Sequence, residues 1–223
     1  MPVAMLRVLI GVFFGVLAGT PLLLGAGTES WDFVRINQAA QTLYGPNSVA
    51  TSRIQEWQQL LDQSQHLSDT EKLDAVNRFF NRKLSFQDDI DTWRVKDYWA
   101  TPVEVLYKGA ADCEDFAIAK YFSLRQLGIA TDKLRITYVK ALTLNQAHMV
   151  LTYYAHPHAD PLVLDNLINI IKPAGERTDL APVYAFNAEG VWMPGQMGQP
   201  VSDTKRLSRW QDLLNKMRME GFP

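Results

Sequence analysis

The apolar residues of this chain change their spacing at Gly128, and that one change narrows the folds open to it. Before Gly128 they recur at helical intervals. In "SVATSRIQEWQQLLDQSQ" (48–65), Ile54, Trp57, Leu60 and Leu61 fall on one face. "SDTEKLDAVNRFFNRKL" (68–84) opens with Ser68 and Glu71, the pattern of a capping box, and aligns Leu73, Val76, Phe79 or Phe80, and Leu84. "TPVEVLYKG" (101–109) repeats the signature, with Thr101 as cap, Pro102 in the first turn and Glu104 three residues on. A further helix is expected over 113–127, stopped by Gly128. Beyond it, "KLRITYVKA" (133–141), "HMVLTYYA" (148–155) and "PLVLDNL" (161–167) are rich in β-branched and aromatic residues, with turn residues between them. "VYAFNAEGVWM" (183–193) reads as a hairpin turning at 187–190. A last amphipathic helix over about 203–219 aligns Leu207, Trp210, Leu213, Leu214 and Met217. Helices followed by an antiparallel sheet predict an α+β domain.

The first 30 residues stand apart. "MPVAMLRVLIGVFFGVLAGTPLLLGAGTES" carries Arg7, an apolar run over 8–26 and then small residues, the pattern of a secretory signal cleaved near 25–28. The run also approaches the ~20 apolar residues that span a bilayer, so an uncleaved anchor is the alternative. The expected organisation is a leader over 1–28 and one domain over 29–223, whose body lies outside the cytoplasm. A formal charge of −2 gives no basis for a nucleic-acid partner, and the composition fits no disordered, collagen-like or disulfide-rich class.

Export makes the single cysteine conspicuous, because one thiol cannot form an internal disulfide. Cys113 lies between Asp112 and Glu114, with Asp115 next, and nearby carboxylates raise a thiol's pKa. Asp112 is a good N-cap, which puts Cys113 in a first helical turn, where free N–H groups favour an anion. A lone cysteine at a helix start is also commonly an inert core residue. His148, in "NQAHMVLTYY", could take the thiol proton, and Asp165, in "VLDNL", could hold the imidazole's tautomer. Each has an ordinary reading as well, a packing histidine at a strand start and an aspartate capping a turn. His156 and His158, in "AHPHAD", are better explained by a loop around Pro157 than by a metal. HExxH, CxxC, GxSxG and GxxxxGK[ST] do not occur.

The blocks "ADCEDFAIAKYFSLRQLGI", "AHMVLTYY" and "LDNL" resemble the bacterial transglutaminase-like cysteine proteinases of the LapG type, "DCEDFAIAKY" being the most specific part. The resemblance implies a papain-like, transglutaminase-like fold with the nucleophile helix packed on an antiparallel sheet. It implies Cys113 as nucleophile, His148 as general base and acid, and Asp165 as the group orienting His148. It also implies Ca2+, held by carboxylates flanking the cysteine; Asp112 and Glu114 match those positions and Asp115 is the third candidate. Calcium takes about six to eight oxygens, so carbonyls and waters complete such a site, and a dication offsets carboxylate repulsion of a thiolate. Acids in a first helical turn also stabilise the helix with no metal.

By the same resemblance, the substrate is a large surface adhesin, cut in the periplasm near its N-terminus at a pair of alanines, which disperses the biofilm. The inhibitory partner is an inner-membrane receptor of the LapD type, which sequesters the proteinase when cyclic-di-GMP binds its cytoplasmic side. The oxyanion is expected at the Cys113 backbone N–H, with no second donor assigned and residues 96–102 the segment considered. Two rival readings share the fold: another thiol acyl-transfer enzyme, such as a transglutaminase, and a binding module without activity.

Overall fold

In the computed structural model, which describes residues 30–195 and 200–223, helices occupy the first half of the chain and a six-stranded sheet most of the second. The expected leader lies outside the described residues. Among those described, no helix is long and apolar enough to cross a membrane.

Helix α1 (Phe33–Tyr44) was not expected from the sequence; Asp32 caps it by accepting the Val34 and Arg35 N–H groups. Helices α2 (Ser48–Ser64) and α3 (Asp69–Lys83) match their patterns, and the Ser68–Glu71 capping box is formed. A single turn, α4 (Asp89–Thr92), precedes α5 (Pro102–Lys108), where Thr101 and Glu104 close the second capping box. Strands β1 (Ser85–Phe86) and β2 (Ala110–Ala111) form a small parallel pair that aims the chain into α6 (Cys113–Gln126).

The main sheet is antiparallel, in the order β6 (Lys172–Pro173), β5 (Leu162–Leu164), β4 (Gln146–Tyr153), β3 (Leu134–Ala141), β7 (Leu180–Phe186) and β8 (Val191–Trp192). Strand β4 starts two residues earlier than its apolar run suggested, because Gln146 and Ala147 pair with Ala141 and Lys140. The final helix is shorter than expected: a 3-10 turn at Thr204–Arg206 precedes α7 (Ser208–Met219).

Helix α6 is buried on nearly every side, as its run of Phe116, Ala117, Ile118, Ala119, Tyr121 and Leu124 demands. One flank meets the sheet through Ile136, Met149 and Leu151, and the other meets α2 and α3 through Trp57, Val76 and Phe80. Trp57 donates its indole N–H to Ser123 Oγ at 2.9 Å, satisfying the polar atoms that this contact buries. Each large apolar side chain buried this way is worth about 1.5–3 kcal/mol, so the helix start is rigidly placed against the sheet.

The approach to α6 depends on Gly109, which ends α5 in the left-handed conformation (φ 73°, ψ 19°). A Cβ there would run into the Arg53 guanidinium, which holds the Leu106 carbonyl. Gly109→Ala is expected to cost about 1–2 kcal/mol from the backbone conformation alone, read as a lower urea midpoint with an unchanged slope.

Candidate active site

Cys113 is the first residue of α6, and Asp112 is its N-cap, its Oδ1 facing the Asp115 N–H at 3.5 Å. The sulfur meets the sheet where β5 runs out. Strand β5 pairs with β4 only up to Leu164 against Leu151, so the β4 edge at Met149 lacks a β5 partner. Sγ lies near the backbone N–H of Met149, the residue that follows His148, and that N–H favours the thiolate. The thiol donates to Glu114 Oε2 at 3.0 Å. Burial, then the Glu114 charge, push the thiol pKa far up.

His148 and Asp165 are in contact, Nε2 to Oδ1 at 2.8 Å, with both side chains buried. Asp165 follows β5 directly, so strand pairing carries it to the imidazole. Burial raises the Asp165 carboxyl, but His148, the Leu167 N–H at 3.0 Å and Arg177 outweigh it and hold the group at about 2. An ionised Asp165 only accepts, so Nε2 carries the ring proton and Nδ1 is left as the basic nitrogen. Arg177 donates from Nη2 to Asp165 Oδ2 at 2.7 Å and grips Asp179 through Nε and Nη2 at 2.9 and 2.8 Å. The structure thus joins His148 to Asp165 and sets Cys113 at the adjoining strand edge, with the sulfur bonded to Glu114.

Three carboxylates surround the helix start: Asp89, Asp112 and Glu114, offering oxygens all within 4.8 Å of one another. Asp89 Oδ2 accepts the Tyr98 N–H, while its Oδ1 is buried with no hydrogen-bond partner. Burial, then neighbouring acids, push Asp112 up to about 10; burial with the Glu114 and Asp97 charges lifts Asp89 to about 6. An all-oxygen donor set with an unsatisfied buried acceptor fits a hard dication, which would relieve that crowding.

Asp115, the third candidate from the sequence, lies beside this trio of oxygens: its charge raises Asp112, and its Oδ2 is buried with no hydrogen-bond partner. Each helical residue turns about 100°, which carries Asp115 past Glu114 and into the core. It is fully buried, and Oδ1 accepts the Ala100 N–H at 2.7 Å. Asp89 is an acid of this cluster that the sequence reading did not name; the acidic run "DDID" (88–91) was the signal available for it. Arg177 had no sequence signal. In the segment considered for an oxyanion donor, the N–H groups of Tyr98, Ala100 and Thr101 are already engaged by Asp89, Asp115 and Glu104. His156 and His158 are exposed in a loop.

A thiol at the start of a central helix, docked on an antiparallel sheet whose strands present a bonded His–Asp pair, defines the transglutaminase-like class of thiol enzymes. Over residues 49–183 the chain matches the bacterial transglutaminase-like cysteine proteinases (BTLCP), and it belongs to that family. Legionella pneumophila LapG is 40% identical, with a TM-score of 0.74 over 85% of this chain and 99% of that one. Its calcium-bound form is 41% identical, with a TM-score of 0.74 over 83% and 99%. The EGTA-treated form is 41% identical, with a TM-score of 0.73 over 85% and 100%. Among curated proteins the chain has no match.

One buried cation lies near the pair without a hydrogen-bond partner. Lys120 is two turns beyond Cys113 on α6, fully buried, with Nζ unpaired. Burial pushes its ammonium down to about 7, and the Asp165 charge opposes that. The unfolded chain therefore binds more protons here between about pH 7 and 10.5, so the destabilisation is complete below about 7 and fades as pH rises. Lys120→Met is expected to stabilise by about 1–4 kcal/mol at pH 6, with a smaller gain at pH 9, followed by urea unfolding at both values.

Proposed function

We propose that this chain is a periplasmic, calcium-dependent cysteine endopeptidase with a Cys113–His148–Asp165 triad. It would cut a large surface adhesin near its N-terminus, at a dialanine site, under an inhibitory LapD-type cyclic-di-GMP receptor. The observation that carries the catalytic part is the placement of one sulfur between a carboxylate cluster and the strand edge beside a bonded His–Asp pair. The adhesin, biofilm release and the receptor are supported by the likeness to the LapG type, and the periplasmic site by the leader-like N-terminus. Asp112 and Glu114, with Asp89 or Asp115 beside them, would hold the calcium; the calcium-bound form of LapG supports the metal. When bound, calcium supplies positive charge that favours a thiolate among these acids.

The chain's own residues supply the rest. Glu114 both belongs to the cluster and accepts the thiol proton, so a Glu114 engaged in the cluster leaves that proton to His148 Nδ1. The thiolate attacks the peptide carbonyl, and the electron pair moves to oxygen, facing the Cys113 N–H at the helix start. His148 then protonates the leaving amine as the C–N bond breaks. Water, deprotonated by His148, cleaves the acyl-enzyme and restores the thiol. Asp165, held ionised by Arg177, stabilises the imidazolium in both steps.

Cys113→Ala is expected to abolish cleavage of an adhesin N-terminal fragment while leaving the circular dichroism unchanged; undiminished cutting would reject the assignment. EGTA should stop the parent enzyme and excess calcium restore it. By calorimetry, Asp89→Ala should weaken calcium binding at least tenfold, and an unaltered affinity would remove Asp89 from the ligand set. Attachment of an amine donor to glutamine faster than peptide cleavage would favour a transferase.

A further inference from the structure

Behind Asp165 the chain makes a short irregular loop, residues 165–169, and α3 grips it at both ends. Asn81 Nδ2 donates to the Asp165 carbonyl at 2.8 Å and to Asn169 Oδ1 at 2.9 Å. One turn earlier, Asn77 Nδ2 donates to the Asn169 carbonyl at 2.9 Å. Carbonyl oxygens only accept, so these partners set the orientation of both amides. The loop in turn folds over the carboxylate, with the Leu167 N–H on Asp165 Oδ1, the oxygen that also meets His148.

Packing does not account for these asparagines. Asn77 is fully buried between core residues Val76 and Phe80, where an apolar side chain would bury without desolvating an amide. Asparagine is also a poorer helix former than alanine or leucine. The Oδ1 atoms of Asn77 and Asn81 are buried without partners, so these amides spend their hydrogen-bonding capacity on the loop, through Nδ2. Each buried unpaired acceptor costs stability, a burden that the core alone gives no reason to carry.

We infer that Asn81, backed by Asn77, is a positioning residue that holds the main chain at Asp165 and so aims its carboxylate at His148. The inference rests on the triad proposed above. Arg177 neutralises and grips the carboxylate's far oxygen, whereas the α3 amides hold the backbone from which that carboxylate extends. Together they leave Asp165 no freedom to swing away from the imidazole.

The test compares full-length parent, Asn81→Ala, Asn81→Gln and Asn169→Ala by steady-state cleavage of the adhesin fragment and by NMR of the histidine ring N–H protons. Asn81→Ala is expected to lower kcat about ten- to hundredfold, with KM within about twofold, as small misplacements of reacting groups do. The His148 Nε2–H signal should exchange faster with water in Asn81→Ala. Asn81→Gln should recover part of both effects, and Asn169→Ala should shift both in the same direction by less. An Asn81→Ala enzyme with parental kcat and an unmoved His148 signal would overturn the inference, and so would a loss traced wholly to unfolding while folded Asn169→Ala behaved as parent. Failure of the parent to cut the fragment would count against the proposed substrate alone, because the ring N–H signal still reports on the clamp.

Discussion

Asp165 keeps a full negative charge inside a nearly dry interior because the groups around it are arranged to favour that charge. His148 Nε2 and the Leu167 N–H share one oxygen, and the Arg177 guanidinium takes the other. Burial alone would protonate the acid, leaving it no longer purely an acceptor and the imidazole without a fixed tautomer. With the charge held, Nδ1 is the basic nitrogen, and everything proposed for the sulfur depends on that nitrogen. The connection runs through the fold: Asp165 follows β5, His148 lies on β4, and Arg177 lies between β6 and β7. Only the Leu167 N–H is local in sequence; His148 and Arg177 come from other elements.

The opposite electrostatic situation prevails at the start of α6. There the helix dipole favours an anion, but burial and the Glu114 charge suppress thiolate formation, and Glu114 holds the thiol proton. Two buried acids are pushed up there, Asp89 by burial and then the Glu114 and Asp97 charges, and Asp112 by burial and then the Asp115 and Glu114 charges. Acids crowded around a thiol suppress its thiolate, and positive charge there would relieve that suppression, a physical reason for a metal at such a site. Asp115 adds its charge to that crowd while it receives the Ala100 N–H and ties α6 to the segment that leads into α5.

Much of this was legible in the chain itself. The capping boxes at Ser68 and Thr101 are local chemistry between residues three apart, and both form. Asp112 announced the start of α6, and the β-branched runs announced β3, β4 and β5. The hairpin at 187–190 also forms, with Asn187 Oδ1 accepting the Glu189 and Gly190 N–H groups. Helix α1 escaped notice although Asp32 is a good cap, and the parallel pair of β1 and β2 is too short for any periodicity to reveal. Asp89 and Arg177 were missed because acids and arginines are ordinary on surfaces; only burial beside the site marks them.

The sequence by itself determined where α2, α3, α5 and α6 begin, the division into helical and sheet halves, and which residue types could carry thiol chemistry. Those features depend on hydrogen bonds and periodicities that reach only a few residues along the chain. Tertiary structure decided which acid joins Asp112 and Glu114, what keeps Asp165 ionised, and where the sulfur meets the sheet. Those outcomes depend on distances between groups far apart in sequence and on the loss of water around them, and a linear pattern encodes neither.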